Sequence, residues 1–390
     1  MNGTVVVLRS GWLPTRQANG IQTVRMSEAF ATSGFPVSLY YLPQPKIRED
    51  IATYYNITLP IKFKRLPRAI LPFRKHFKLK PEWCSLPSFI HAFLWSGLVV
   101  QHTRKENALF YFVREPMLAW WLGVFDLPTV FEIHHDYTVG GIENPFTKPA
   151  CQRRSVKLVV AVTEHMQDDL INLFGVSRHK TLALPNGVDL KRFSNGYTKG
   201  SARQRLGLAA DAQVVAYTGQ LHMEKGVDVL VHAAALLRNV TVVIVGGEVS
   251  DRERLRQLAQ ALEAHNVMLI DYVSPDEVPV YLKAADVLVM PHSAKVTESA
   301  KYTCPLKLFE YMAAGAPIVT SQLPAVSEVI RHGRNGWLVS PDSASALAEG
   351  IKHVLQCDKL AADMAQQAAK DSEMYTWERR ASAILTRIAL

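Results

Sequence analysis

Short runs of β-branched and aromatic residues alternate with helix-period segments along almost the whole chain, and this alternation restricts the fold more than any other feature. In the first half the runs are Thr4–Arg9, Val37–Tyr41, Ala108–Val113, Thr129–Ile133, Leu158–Val162 and Thr181–Leu184. Most are continuously apolar, as expected of strands covered on both faces of a parallel sheet. In the second half, Val214–Thr218, Thr241–Val245, Val267–Ile270, Val287–Met290 and Pro317–Thr320 read as strands. Between them, Val227, Leu230, Val231, Ala234 and Leu237 share one helical face, and Leu255, Leu258 and Leu262 share another. Ser250-Asp-Arg-Glu253 and Ser274-Pro-Asp-Glu277 have the form of capping boxes, with Pro275 expected at a first helical position. Leu306–Ala314 reads as a helix stopped by Gly315. The scheme predicts an α/β protein of two doubly wound, Rossmann-like domains facing a cleft, with ligands beyond the carboxyl ends of the strands.

The turn-rich stretch Leu184-Pro-Asn-Gly-Val-Asp189 separates the two series. Expected domains are therefore residues 1–187 and 188–370, followed by a helical segment over 371–390. The four cysteines lie far apart without CxxC spacing, so neither a disulfide framework nor a zinc cluster is implied and a reducing compartment fits. The start of the chain runs straight into a strand rather than a signal peptide. The apolar stretches Phe89–Val100 and Pro116–Val130 read as buried helices, the first too short to span a bilayer and the second interrupted by Asp126. The expected location is the cytoplasm. The net charge of +9 is concentrated in residues 62–80, where basic side chains interleave with Phe63, Leu66, Ile70, Leu71, Phe73 and Phe77. Two readings stand: a solvated loop, or a contact with an anionic membrane surface or anionic acceptor. No nucleic-acid motif accompanies the charge.

Three segments carry residues suited to chemistry. Gly219-Gln-Leu-His-Met-Glu-Lys-Gly226 lies between a strand and a helix, where free backbone N–H groups and Lys225 suit a phosphate. An ordinary βα turn with a surface lysine reads equally well. Its lysine precedes the last glycine, so it is no Walker A loop, and it is not GxGxxG. In Phe131-Glu-Ile-His-His-Asp136, adjacent histidines on an extended chain point to opposite sides and do not share one metal ion. One imidazole in a catalytic or hydroxyl-binding role fits, as does a histidine held structurally in a loop. In Pro305-Leu-Lys-Leu-Phe-Glu310, a carboxylate sits one turn into a helix, suited to hydroxyl donors or else paired with Lys307 three residues back. No GxSxG, HExxH or EF-hand pattern appears.

Several pieces follow one another in a specific order: Pro185-Asn-Gly-Val-Asp189, Tyr217-Thr-Gly219, Glu224-Lys-Gly226, Val245-Gly-Gly247, Ala285-Asp286, Pro305 to Gly315 with Glu310, and Gly336-Trp-Leu-Val339. In that order they resemble the family-4 retaining glycosyltransferases of GT-B architecture, the glycosyltransferase group 1 type. The resemblance covers most of the chain and is strongest over about residues 183–340. It implies a final helix packed back on the amino-terminal domain, which would bind acceptor while the second domain binds donor. It implies a metal-independent transfer of sugar, with retention, from a nucleoside diphosphate-sugar (UDP or GDP) to a hydroxyl, without a cofactor. His134, Lys225 and Glu310 would carry the chemistry, Glu310 on the ribose and Lys225 on the diphosphate. Gly20, Gly219, Gln220, Gly246, Tyr302, Pro305 and Leu306 would border the donor nucleotide. The loop Gly11–Gly20 would meet donor phosphate and acceptor. Asn19, Arg114 and His135 stand on the acceptor side, His135 replacing His134 if the register slips. Three positions depart from the family pattern. Tyr302 stands where a first glutamate of Glu-x7-Glu is usual, and Gln220 where a phosphate-binding arginine is usual, with Lys301 or Lys307 expected to compensate. Asp271 replaces a frequent glycine. The implied partners are a glycan or lipid-linked acceptor of envelope or exopolysaccharide assembly and, through residues 62–80, the inner membrane face. An epimerase acting on sugar nucleotides and a non-catalytic binding protein of the same architecture are the alternatives.

Overall fold

The computed structural model describes residues 3–67, 86–134, 144–194 and 196–388. By internal contacts they form two units, one of Met1–Pro185 with Trp377–Leu390 and one of Asn186–Thr376. In the first, β1 (Thr4–Leu13), β2 (Val37–Pro43), β3 (Ile61–Arg65), β4 (Ala108–Val113), β5 (Thr129–Ile133), β6 (Val156–Ala161) and β7 (Thr181–Ala183) build one sheet. Its order is β3-β2-β1-β4-β5-β6-β7, and every pairing is parallel. Successive residues of a strand face opposite sides, yet Val5, Val6 and Val7 are all buried, as are Phe110, Tyr111 and Phe112. Helices therefore cover both faces, which is why the strands read as unbroken apolar runs.

The second unit holds β8 (Gln213–Thr218), β9 (Val240–Val245), β10 (Val267–Ile270), β11 (Val287–Met290), β12 (Ile318–Ser321) and β13 (Trp337–Val339), in the parallel order β10-β9-β8-β11-β12-β13. One core, with Val215, Tyr217, Val242 and Ile244, fills one side of this sheet. Val214, Ala216, Val243 and Val245 belong to the core on the other. In both sheets the strand order reverses once, between β1 and β4 and between β8 and β11. A doubly wound sheet leaves its ligand-binding crevice at the carboxyl side of such a reversal.

Several elements differ from their sequence reading. The basic segment begins as an edge strand, β3, not as a loop, and its residues 68–80 lie outside the described residues. The helix Leu86–Thr103 is only half-buried, with Ile90, Leu94 and Leu98 exposed on one side. Pro116–Val130 is not one helix but the helix Pro116–Val124, a turn and the start of β5. Glu248, not Ser250, caps the helix Val249–Ala261, and no side-chain cap bond is made. Ser274 and Glu277 do bond to each other, but as a turn preceding the helix Val278–Ala284, so Pro275 falls outside that helix. The last helix, Trp377–Arg387, belongs to the first unit and lies beside the helix Ala18–Thr32, burying Trp377, Ala381 and Ile384. Among the described residues no helix is long and apolar enough to cross a membrane.

Candidate functional site

In the second unit, β8 gives way at the reversal to Gly219, at φ +127°. A Cβ there would stand 2.8 Å from the ammonium nitrogen of Lys307, so only glycine lets that lysine lie against the loop. Lys307 Nζ donates to the Tyr217 hydroxyl at 2.5 Å, and that hydroxyl donates to the Gln220 carbonyl at 2.5 Å. Lys307 thus turns beneath the loop rather than toward Glu310. Burial first, and the charge of Lys225 second, hold its pKa well below the ordinary lysine range. Lys225 closes the short turn Met223–Lys225. Gly226 follows at φ +67°, and a Cβ there would meet the Pro291 carbonyl at 1.8 Å. That approach sets Lys225 beside the end of β11, where His292 is fully buried with neither ring nitrogen hydrogen-bonded. Burial, then Lys307 and Lys225, press His292 far below the usual imidazole pKa. Two lysines and a neutral imidazole therefore share one crevice.

The helix Leu306–Ala314 starts at Pro305 with no side chain capping its first amides. Its approach is fixed by Asn186, whose amide donates to the Cys304 carbonyl at 2.6 Å. The backbone N–H of Asn186 meets Cys304 Sγ at 3.1 Å. The Pro185-Asn-Gly motif thus holds the loop that leads into this helix. Glu310 projects from the helix and accepts from Arg192 at 3.4 Å. Gly246, after β9, accepts from Arg252, which also pairs with Asp271 at 2.9 Å. Tyr302 is buried at the end of a π-helical turn, Glu298–Tyr302, and Lys301 is exposed.

In the first unit, β1 extends to Leu13 and the next helix begins at Ala18, so Gly11 to Leu13 are strand and the loop is short. Arg9 is buried and donates to the Asn19 carbonyl at 3.2 Å and to its side-chain oxygen at 3.0 Å. Arg114, just past β4, donates to the same carbonyl at 3.1 Å and to Gln22 at 3.0 Å. Burial lowers its pKa to about 10. Glu115 accepts from the Ser10 backbone at 3.0 Å and hydroxyl at 2.8 Å. Glu132, inside β5 and fully buried, accepts from Gln22 at 2.6 Å, from Arg380 at 2.5 Å and from His134 Nε2 in a short bond. Burial alone would raise its pKa, but Arg380 and His134 carry it far below the carboxylate range. His134 falls to about 3, through burial first and Arg114 second, against the opposing pull of Glu132.

Gly219, Gln220, Lys225, Gly246, Pro305, Leu306, Glu310 and Tyr302 all fall within the second unit, and Asn19, Gly20, Arg114 and His134 within the first. His135 lies outside the described residues. Sequence reasoning missed Arg9, Glu115, Glu132, His292 and Arg192. The first four lie in or just after strands at the carboxyl side of a sheet, and a polar residue breaking an apolar strand was the available signal. From spacing alone Lys307 is a partner for Glu310 or a substitute charge for Gln220, and neither points to Tyr217. Among the described residues no group of three or more His, Cys, Asp and Glu is arranged to hold a metal ion.

Two family models divide the chain between them. Residues 20–192 match Glycosyltransferase Family 4, and residues 198–371 match Glycosyl transferases group 1. The chain belongs to the family-4, group 1 glycosyltransferases, a family of transferase enzymes. Among curated glycosyltransferases, a D-inositol 3-phosphate glycosyltransferase of Streptomyces avermitilis is 29% identical over 238 residues, 58% of this chain. That match spans about half (50%) of the relative's length. A protein of the same description from Corynebacterium urealyticum is 25% identical over 331 residues, 77% of this chain and 76% of its own. The GT-B fold recurs in HepE of Anabaena, solved in complex with UDP, at a TM-score of 0.75 and 17% identity over 98% of this chain and 99% of that one. It recurs in the sucrose-phosphate synthase of Thermosynechococcus elongatus, with a TM-score of 0.73 and 20% identity over 98% of each chain.

Proposed function

We propose that this glycosyltransferase moves a sugar from a nucleoside diphosphate-sugar to an acceptor hydroxyl, with retention at the anomeric carbon and without a metal ion. The observation that carries this reading is the crevice at the β8–β11 reversal. There Lys225 and the partly buried Lys307 press on each other, and among the described residues Lys307 forms no salt bridge with a carboxylate. Two like charges held together in a desolvated place suit a ligand bearing several negative charges. The uncapped start of the helix at Pro305 offers backbone donors to the same kind of group. As the donor bond breaks, negative charge grows on the leaving diphosphate, and fixed cations and helix amides stabilise it without reorganising. Glu310, held by Arg192, is placed to accept from ribose hydroxyls. His134 orients sugar or acceptor, and the leaving phosphate assists deprotonation of the attacking hydroxyl. UDP in the HepE structure makes a uridine donor the first to try, with guanosine second.

Asn19, His135 and Arg114 stand on the acceptor side and Gly20 borders the donor phosphate, and the acceptor is a glycan or lipid-linked glycan of envelope or exopolysaccharide assembly. The basic residues 62–80 bring the protein to the inner face of an anionic membrane from the cytoplasm. Lys225→Ala and Glu310→Ala should each lower kcat/KM for the donor about ten-fold or more, about 1.4 kcal/mol per decade. A thermal-shift panel of nucleoside diphosphates and their sugars identifies the donor, because a ligand of the native state raises Tm by mass action. Unchanged kcat/KM in both variants, with no nucleotide raising Tm, overturns the assignment.

A further inference from the structure

We propose that Arg380, on the last helix of the chain, is a positioning residue for His134: by occupying one oxygen of Glu132 it leaves the other to fix the histidine in a single tautomer, and by balancing the carboxylate it keeps the ring neutral. The inference rests on the role given to His134 above.

The Glu132 carboxylate has no exposed surface and must be balanced where it stands. Its two oxygens are divided. Oε2 takes Arg380 Nη1 at 2.5 Å, while Oε1 takes Gln22 Nε2 at 2.6 Å and the short contact from His134 Nε2. An ionised carboxylate only accepts, so the proton between Glu132 and His134 belongs to Nε2 of the imidazole. A neutral ring protonated at Nε2 has its lone pair at Nδ1, which makes that nitrogen an acceptor.

Neutrality depends on the other charges around the ring. Among the described residues these are Arg114 past β4, Glu132 on β5 two residues before the ring, and Arg380 on the last helix. The nitrogen of Arg114 nearest Glu132, Nε, is 3.9 Å away and makes no hydrogen bond, while its Nη1 is held by Asn19 and Gln22. Arg380 is the close counter-charge. Without it, the nearest way to balance Glu132 is to protonate His134. Nδ1 would then become a donor, reversing the hydrogen bond it offers a hydroxyl. Arginine suits the position because three of its nitrogens are engaged. Nε donates to the Pro185 carbonyl at 2.9 Å and Nη2 to that of Leu184 at 3.2 Å, so the fork is fixed at the end of β7.

The test is ¹⁵N-histidine NMR of the full chain, with the His134 signal identified by its loss in His134→Asn. In the parent protein His134 should stay neutral and protonated at Nε2 from about pH 8 to about pH 5. In Arg380→Gln its titration midpoint should rise by about 1–3 pH units, and the acid limb of the kcat profile should rise with it. Arg380→Lys should restore most of the shift. The double variant Glu132→Gln/Arg380→Gln, which removes both charges, should return the midpoint downward but mix the tautomers, since an amide can turn either end to the ring. A folded Arg380→Gln protein with an unchanged midpoint and tautomer overturns the proposal. Should that variant not fold, a double variant with a pure Nε2–H ring does so instead. The spectra report this linkage whether or not sugar is transferred. A His134→Asn enzyme with full turnover would instead remove His134 from the reaction.

Discussion

Lys307 and His292 show how a side chain's surroundings, and not its type, set what it contributes. Each would be freely hydrated on a surface, and here burial and neighbouring lysines disfavour the charged form of each. Lys307→Met should weaken nucleoside diphosphate binding about ten-fold or more, measured by calorimetry, a loss of about 1.4 kcal/mol. His292→Leu keeps a similar volume and removes two unpaired buried nitrogens. It should raise Tm, with a gain of about 1–3 kcal/mol, because an unsatisfied buried polar group costs that much. A fall in Tm would mean that the imidazole is satisfied after all. The histidines also fix a pH dependence. A folded-state pKa lowered below the ordinary 6.5 means that unfolding takes up protons below that value. Stability should therefore fall as pH drops from about 6.5 toward about 3 for His134, and His134→Asn should flatten that slope in thermal melts. Lys225, Glu310 and His134 were legible because each sits in a motif with a place in the chain order. Lys307 was not, because helical spacing reports what lies three or four residues away. It does not report that a tyrosine hydroxyl on β8 waits across the sheet.

At the scale of elements, continuous apolar runs located the central strands of both sheets to within a few residues. Ala108–Val113 and Thr129–Ile133 match to the residue. The two strands left unread, β3 and β13, are both at sheet edges, where one side lacks a partner and the pattern is short and mixed. In β3 the residues Lys62, Lys64 and Arg65 obscured the strand, and charge is how natural edge strands avoid pairing with other chains. The capping boxes failed for another reason. Ser274 donates from its backbone and its hydroxyl to the Glu277 carboxylate in a turn, and the pattern alone does not say whether a helix begins inside it or after it. Asn186 makes a separate prediction at this scale. It is buried, and its amide fastens the loop before the Pro305 helix. Asn186→Ala should cost about 1–3 kcal/mol in chemical denaturation by removing the buried amide's bond to the Cys304 carbonyl. It should also weaken nucleotide binding by loosening the helix start.

For the whole molecule, the chain leaves the first unit at Pro185 and returns to it at Trp377, so the second unit is inserted within the first. The alternation of strands and helices announced two domains, and the resemblance supplied the returning helix. The buried ion pair that fastens this helix was out of reach, since residue spacing gives no sign that Arg380 and Glu132 meet 248 positions apart. That separation has a consequence on the ribosome. At about 5–20 residues per second, Glu132 emerges roughly 12–50 s before its arginine is made. Throughout that interval the first unit holds a carboxylate whose guanidinium does not yet exist. A nascent chain of this kind cannot complete its earlier-made part until its last helix is made, and for most of a minute at slow elongation the unfinished first unit is the part a chaperone would have to shelter.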